Sequence, residues 1–256
     1  MNVMNRRTLL LTSLAITTVP SALRAEQPWA ARLLKGGFDG THYRMGLYIT
    51  MADHWKTYWR VPGSGGIAPQ IDLTANNLKS FSISHPLPAR FALESGEAIG
   101  YDHEVVFPIA VEPLDGTRSL DVTVNALVGI CEVVCIPAQF SGNVAFSAGQ
   151  SDAPDQMTLN NWQKRVPVLA KQPVVLSAKV EQLADKTILM LETAQAQRDI
   201  FVEGSPQHYF GKPELMRGMA RIAVSGVKNA NELHGQKLRL TIDDGGQGLE
   251  QFVTVV

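Results

Sequence analysis

From about residue 26 onward the chain is a succession of short runs in which apolar and polar residues alternate, separated by turn-forming residues. Alternation of this kind has the period of a strand with one buried face. It predicts strands over residues 43–51, 80–84, 104–111, 119–128 and 143–147. The third run is denser in apolar residues and is broken by Pro108, which predicts an edge strand or a bulge. The fourth follows Asp115-Gly116, a turn signal. A second set of strands is predicted over 174–183, 187–192, 199–203, 220–225, 237–242 and 250–256. Asp243-Asp244-Gly245-Gly246 supplies a strong turn before the last of these.

Between the two sets the pattern changes. Ser151-Asp152-Ala153-Pro154-Asp155 reads as a loop, and residues 157–166 have the makings of a short helix ended by Pro167. Strands recurring about every ten residues in both halves predict antiparallel sandwiches of immunoglobulin-like size. Sustained helix–strand alternation is absent, which argues against a Rossmann or thioredoxin fold. The expected fold is therefore all-β, with two immunoglobulin-like antiparallel β-sandwiches in tandem. The expected domains are 26–150 and 173–256, with a linker over 151–172.

The first 25 residues fall outside this scheme and read as an export signal. Arg6 and Arg7 form a charged segment, residues 8–19 an apolar one, and Ala22-Leu23-Arg24-Ala25 a small-x-small cleavage pattern. The apolar stretch is shorter than the roughly 20 residues a bilayer span requires. Asn5-Arg6-Arg7-Thr8-Leu9-Leu10-Leu11 resembles a twin-arginine signal, although Asn precedes the pair and Leu stands where Phe and Lys are common. No later segment is long and apolar enough to span a membrane. The expected location is an oxidising compartment, most simply a bacterial periplasm.

Composition narrows the function by exclusion. The 23 Lys and Arg against 24 Asp and Glu leave no basic surplus of the kind a nucleic-acid binder carries. Two cysteines among 256 residues are too few for a disulfide-stapled scaffold. The six histidines are dispersed and form no His-Glu-x-x-His pattern, so a zinc hydrolase is not indicated. Gly63-Ser64-Gly65-Gly66 is not a phosphate loop, since no Lys-Ser/Thr follows it, and Ser64 does not sit in a Gly-x-Ser-x-Gly elbow.

The cysteines are both in one stretch, Gly129-Ile130-Cys131-Glu132-Val133-Val134-Cys135-Ile136-Pro137. One tight turn can bring such a pair within bridging distance. A bridge closing so small a ring is worth only about 2 kcal/mol in the chain-entropy model. Its value is therefore more readily chemical than structural, as a labile, exchanging disulfide. A small staple or two inert thiols is the bland alternative. A third is a Cu(I) site in which His103 and a methionine join Cys131 and Cys135. Glu132 raises a neighbouring thiol's pKa, and no Lys, Arg or His lies inside the motif. That suits a passive relay attacked by another protein's activated thiol. Asp102 beside His103 offers a proton-biasing pair, but neighbours on a strand point to opposite faces.

Three separated motifs carry a resemblance. Tyr58-Trp59-Arg60-Val61-Pro62-Gly63-Ser64-Gly65-Gly66-Ile67-Ala68-Pro69-Gln70 comes first. Ile99-Gly100-Tyr101 with Glu104-Val105-Val106-Phe107-Pro108 comes second, and the Cys131–Cys135 stretch third. Over roughly residues 30–150 they resemble the N-terminal periplasmic domain of the thiol:disulfide interchange protein DsbD, in the form found in ScsB-type proteins linked to copper tolerance. The resemblance implies a protein-disulfide reductase activity without a cofactor. It implies a separate membrane electron-transfer protein as the source of electrons and periplasmic thioredoxin-fold proteins as exchange partners. It assigns the mixed disulfide to Cys135 and its resolution to Cys131. It also implies a shielding loop within residues 91–101, with Phe91 or Tyr101 as the covering ring. The multi-span region and the thioredoxin-like domain of full-length DsbD have no counterpart in this sequence. The alternative is a copper-handling or partner-binding module without redox turnover. Trp55, Trp59 and Arg60 offer either interface anchors or, for the tryptophans, core packing.

Overall fold

The computed structural model describes residues 27–93, 96–151 and 153–256. The expected export signal lies outside the described residues.

Ten strands build the first half: β1 (Trp29–Phe38), β2 (Tyr43–Met51), β3 (Lys56–Gly63), β4 (Gln70–Ala75), β5 (Leu78–Ile83), β6 (Ala89–Leu93), β7 (Gly96–Asp102), β8 (Glu104–Pro113), β9 (Leu120–Cys131) and β10 (Cys135–Phe146). One sheet has the order β1-β2-β8-β5. The other has the order β10-β9-β3-β7-β6, with β4 also paired to β9. Leu47, Trp59, Phe107, Val128 and Ile130 are buried between them. At one end a second cluster gathers Tyr43, Val111, Leu120, Val122 and Phe146. The period-2 pattern thus becomes a sandwich core, as expected for an all-β, immunoglobulin-like fold.

Two expectations are corrected. Pro108 is not on an edge: β8 pairs with β2 on one side and β5 on the other. In an antiparallel ladder a residue's N–H and C=O point to the same neighbour. The Pro108 carbonyl accepts from Ser84 N at 2.8 Å, just beyond the end of β5. The missing donor therefore falls where the ladder has already stopped. Within residues 91–101, where part was expected as a shielding loop, 91–93 and 96–101 are strand residues of the β6–β7 pair, in which Phe91 pairs with Ala98.

Helix α1 (Gln156–Gln163) follows, docked on the first sheet through Leu159 and Trp162. Glycine makes the seat: a β-carbon at Gly46 would lie 2.7 Å from Leu159 Cδ2. Asp155 ties the helix start down, accepting from Lys35 N at 2.9 Å and from Arg32 Nη1 at 3.1 Å. The chain then enters the second half through β11 (Val168–Leu169), β12 (Val175–Leu183), β13 (Lys186–Thr193), β14 (Asp199–Glu203), β15 (Tyr209–Phe210), β16 (Glu214–Met216), β17 (Met219–Ser225), β18 (Lys237–Asp243) and β19 (Leu249–Thr254). Its sheets have the orders β11-β19-β18-β14 and β12-β13-β17-β15, with β16 paired to β17. They enclose Leu189, Leu191, Ile222, Leu238, Leu240 and Ile242.

The two sandwiches touch along β3, β6 and β14. Arg60 Nη2 lies 2.6 Å from Glu203 Oε1, 3.0 Å from Glu250 Oε1 and 3.1 Å from Thr241 Oγ1. Arg239 Nη2 reaches Glu250 Oε1 at 2.7 Å, so two guanidinium groups and two carboxylates close a half-buried cluster. The Trp59 ring lies 5.7 Å from that of Phe201, and the Arg60 guanidinium sits 4.1 Å over Trp59. Trp59 is thus core packing while Arg60 is an anchor between the sandwiches.

His85 sits beside this cluster, its ring edge-on to Phe107 at 5.4 Å. Burial first, and the nearby Arg60 and Arg239 charges second, lower its pKa from 6.5 to about 4. The folded state therefore holds His85 neutral while the unfolded chain protonates below about pH 6.5. Its contribution is full above that pH and is lost as pH falls toward 4. Urea unfolding at pH 7 and pH 4.5 should show about 2–3 kcal/mol more acid loss for the wild type than for His85→Gln. Equal losses in both proteins would refute the assignment.

Candidate redox site

The β9–β10 hairpin pairs twelve residues of each strand, and its last pair before the turn is Cys131 with Cys135. Register alone sets the two Cα atoms 4.2 Å apart, and the sulfurs are bonded at 2.07 Å. Glu132, Val133 and Val134 form the exposed turn, with Val133 88% exposed. The two cysteines differ in access. Cys131 is 4% exposed, whereas Cys135 is half-buried.

Tyr58 of β3 lies beneath the bridge. Its hydroxyl is 2.9 Å from Cys131 Sγ, to which it donates, and 3.0 Å from Cys135 Sγ. Burial raises the Tyr58 pKa above its ordinary value of 10.0, so the O–H remains a donor at neutral pH. Glycine opens the space for this ring: a β-carbon at Gly129 would sit 3.0 Å from Tyr58 Cδ2, and one at Gly66 would meet the opposite ring edge. Gly63 turns the chain at φ +90° so that Gly66 can return to Tyr58. The Gly63–Gly66 stretch thus serves the tyrosine rather than a phosphate. Thr57 Oγ1 donates to Gly129 O at 2.9 Å and locks β3 to β9 at this point.

Of the residues singled out in the sequence, Cys131, Cys135 and Phe91 come together. Phe91 packs against a small cluster of Tyr58, Ala98 and Cys131, beside Cys135. Tyr101 lies elsewhere, in the main core, donating to Pro86 O at 2.7 Å and edge-on to Phe107 at 5.7 Å. His103 occupies the turn between β7 and β8 at φ +56°, with Asp53 Oδ1 3.7 Å away and Asp102 Oδ2 3.9 Å away. Among the described residues no three His, Cys, Asp or Glu side chains form a group able to hold a metal ion.

The sequence reading missed Tyr58 as a partner of the sulfurs. It also missed a cation near the motif. Lys56 of β3 stands opposite Cys131 in register, and its ammonium lies 5.4 Å over the Phe91 ring. The ammonium donates to His54 O at 2.9 Å. The site offers a disulfide whose more exposed residue is Cys135 and whose Cys131 sulfur has a hydroxyl donor in place.

Residues 24–145 match the family model described as thiol:disulfide interchange protein DsbD, N-terminal. Residues 165–256 match a domain of unknown function, DUF8393. The crystal structure of the N-terminal periplasmic domain of ScsB from Proteus mirabilis superposes with a TM-score of 0.72 at 23% identity, covering 91% of this chain and 95% of that one. The CupB2 chaperone of Pseudomonas aeruginosa is far more distant, with a TM-score of 0.24 at 9% identity over 83% of this chain and 93% of its own. No curated protein matches the sequence. Residues 24–145 thus match the N-terminal domain of the DsbD thiol:disulfide interchange family, and the chain shares its fold with the N-terminal periplasmic domain of ScsB.

Proposed function

We propose that this protein is a periplasmic relay of reducing equivalents, acting as a protein-disulfide reductase through Cys131 and Cys135. The observation that carries the reading is the disulfide itself. It joins register partners, exposes Cys135 more than Cys131, and places the Tyr58 hydroxyl on Cys131 Sγ. The family match supports thioredoxin-fold partners and a membrane carrier as the ultimate donor. Among the described residues no helix is long and apolar enough to cross a membrane; a membrane carrier on a separate chain is part of the proposed reading.

The exchange balances as follows. A donor thiolate attacks Cys135 Sγ, the Cys131–Cys135 bond breaks, and a new S–S bond forms between donor and Cys135. Cys131 leaves as a thiolate, accepting the Tyr58 hydrogen bond, and then takes a proton. The donor's second thiol loses its proton, attacks the donor sulfur of the mixed disulfide and releases Cys135. The donor has lost two electrons and the pair has become a dithiol. An oxidised acceptor reverses the sequence.

The test is a redox titration of the purified protein in dithiol/disulfide buffers, counting thiols by alkylation mass shift. The expected result is a reversible two-electron couple within the range of exchange proteins, about −120 to −270 mV. A bridge still intact well below about −300 mV would overturn the reading. In Tyr58→Phe the departing Cys131 thiolate loses a charge-assisted donor, so reduction by a small dithiol should slow about tenfold.

A further inference from the structure

The β6–β7 hairpin presents two opposite faces to two different parts of the molecule. Successive residues of a strand point to opposite sides. Phe91 packs on the Tyr58, Ala98 and Cys131 cluster. Arg90, its neighbour, points away into the second sandwich. Its side chain is 7% exposed. Nε donates to Asp199 Oδ2 at 2.8 Å and Nη2 to Ile200 O at 3.0 Å, while Nη1 is bonded to Glu97 across the hairpin. The guanidinium also lies 4.7 Å over the Phe201 ring. A second tie joins the same hairpin to the same sandwich: Tyr209 Oη donates to Glu97 Oε1 at 3.3 Å.

A guanidinium buried to this extent is held by its partners, because leaving it unpaired is costly. Lifting Phe91 off the cluster of Tyr58, Ala98 and Cys131 moves Arg90 with it, since one backbone carries both. The cover over the disulfide is therefore bolted to β14.

We propose that the second sandwich acts as a clamp on the β6–β7 hairpin, with Arg90 as a positioning residue that holds Phe91 over the Cys131–Cys135 disulfide and thereby limits attack by thiols. This gives the second sandwich a role in the exchange itself. It rests on the relay reading for its biological purpose, but the clamp can be measured without any protein partner.

The experiment follows reduction of the disulfide in the purified protein by dithiothreitol under native conditions, by alkylation mass shift. Phe91→Ala should accelerate reduction about tenfold, and Arg90→Ala to a similar extent, the rate equivalent of losing one charge-assisted hydrogen bond. The double variant should be no faster than Phe91→Ala, because both changes remove the same cover. Asp199→Asn, a milder change at the same contact, should accelerate reduction in the same direction and serves if Arg90→Ala fails to fold. Leu233→Ala, in the core of the second sandwich, controls for general loss of stability and should leave the rate unchanged. The clamp is overturned if Arg90→Ala and Asp199→Asn reduce at the wild-type rate, if the Arg90 and Phe91 effects multiply, or if Leu233→Ala accelerates reduction equally. Accelerated reduction in a protein whose disulfide exchanges with no thioredoxin-fold protein would keep the clamp and reject the relay.

Discussion

Cys131→Ser will stop turnover and leave the protein covalently attached to its partners through Cys135. In the proposed relay the half-buried Cys135 takes the incoming thiolate, and Cys131, at 4% exposure, resolves the adduct from inside. Without Cys131 the intramolecular route out of a mixed disulfide is gone. Turnover with a thioredoxin-fold partner should fall by at least about 10³-fold, as it does when a residue of a covalent mechanism is removed. Non-reducing mass spectrometry should show a one-to-one adduct on Cys135. Cys135→Ser should lose turnover as fully and form little adduct. Both variants should fold, because the bridge closes a ring worth only about 2 kcal/mol between residues the hairpin already pairs. Equal adduct yields from the two variants would reverse or abolish the assignment of roles.

Arg60→Ala should cause the largest loss of stability among single changes at the contact between the sandwiches. The side chains of Arg60, Glu203 and Glu250 are 16%, 17% and 16% exposed, so water screens them poorly. Arg60 also holds Thr241 Oγ1 and stacks on Trp59. Its removal leaves two carboxylates facing a single guanidinium, that of Arg239. Breaking a buried pair from one side costs about 3–5 kcal/mol, far more than the pair's net value. Urea unfolding at pH 7 measures it. Arg60→Lys should recover only part, since an ammonium cannot reproduce the fork that spans Glu203 Oε1 and Oε2. Adding Glu203→Gln to Arg60→Ala should recover some of the loss by removing one unpaired charge. A loss under about 1 kcal/mol would mean that the cluster behaves as an exposed surface pair.

Much of this architecture is written in short-range pattern, and the exceptions have identifiable causes. β2 was predicted residue for residue because Tyr43–Met51 places its largest side chains on one face and has turn residues on both sides. β14 was legible as a short continuous apolar run, Ile200-Phe201-Val202, between Asp199 and Glu203. β3 was not, because Lys56, Arg60 and Pro62 interrupt its apolar side and its pairing with β7 is irregular between Tyr58 and Gly63. β6 and β7 hide in a run with Pro86, Pro88 and Gly96, which reads as loop until the partner strand is known. The cysteine pair declared itself by spacing. Tyr58 did not, because its value lies in a ring position made by Gly66 and Gly129, which are remote in sequence from one another. Arg60 was legible as a candidate anchor, but its partners were not, and Arg90 carried no local signal. Apart from Glu97, across the hairpin from Arg90, the partners of both lie more than a hundred residues away, and nothing in a strand's own composition announces them.

The cysteines occupy the final rung of a ladder whose other rungs are backbone hydrogen bonds and packed side chains. Opening the S–S bond removes one rung and leaves the remainder standing. In the proposed relay the oxidised and reduced molecules are then expected to share nearly one shape, with little solvent or backbone rearranging between them. A partner meeting this surface has almost no contour by which to tell a loaded carrier from an empty one. Discrimination falls to the chemistry at the sulfurs, so futile encounters between like redox states are as frequent as productive ones and must be brief. On the proposed relay reading, a carrier built on a rigid hairpin trades selectivity of docking for low cost of electron transfer, and depends on weak, fast-dissociating complexes to keep its flux.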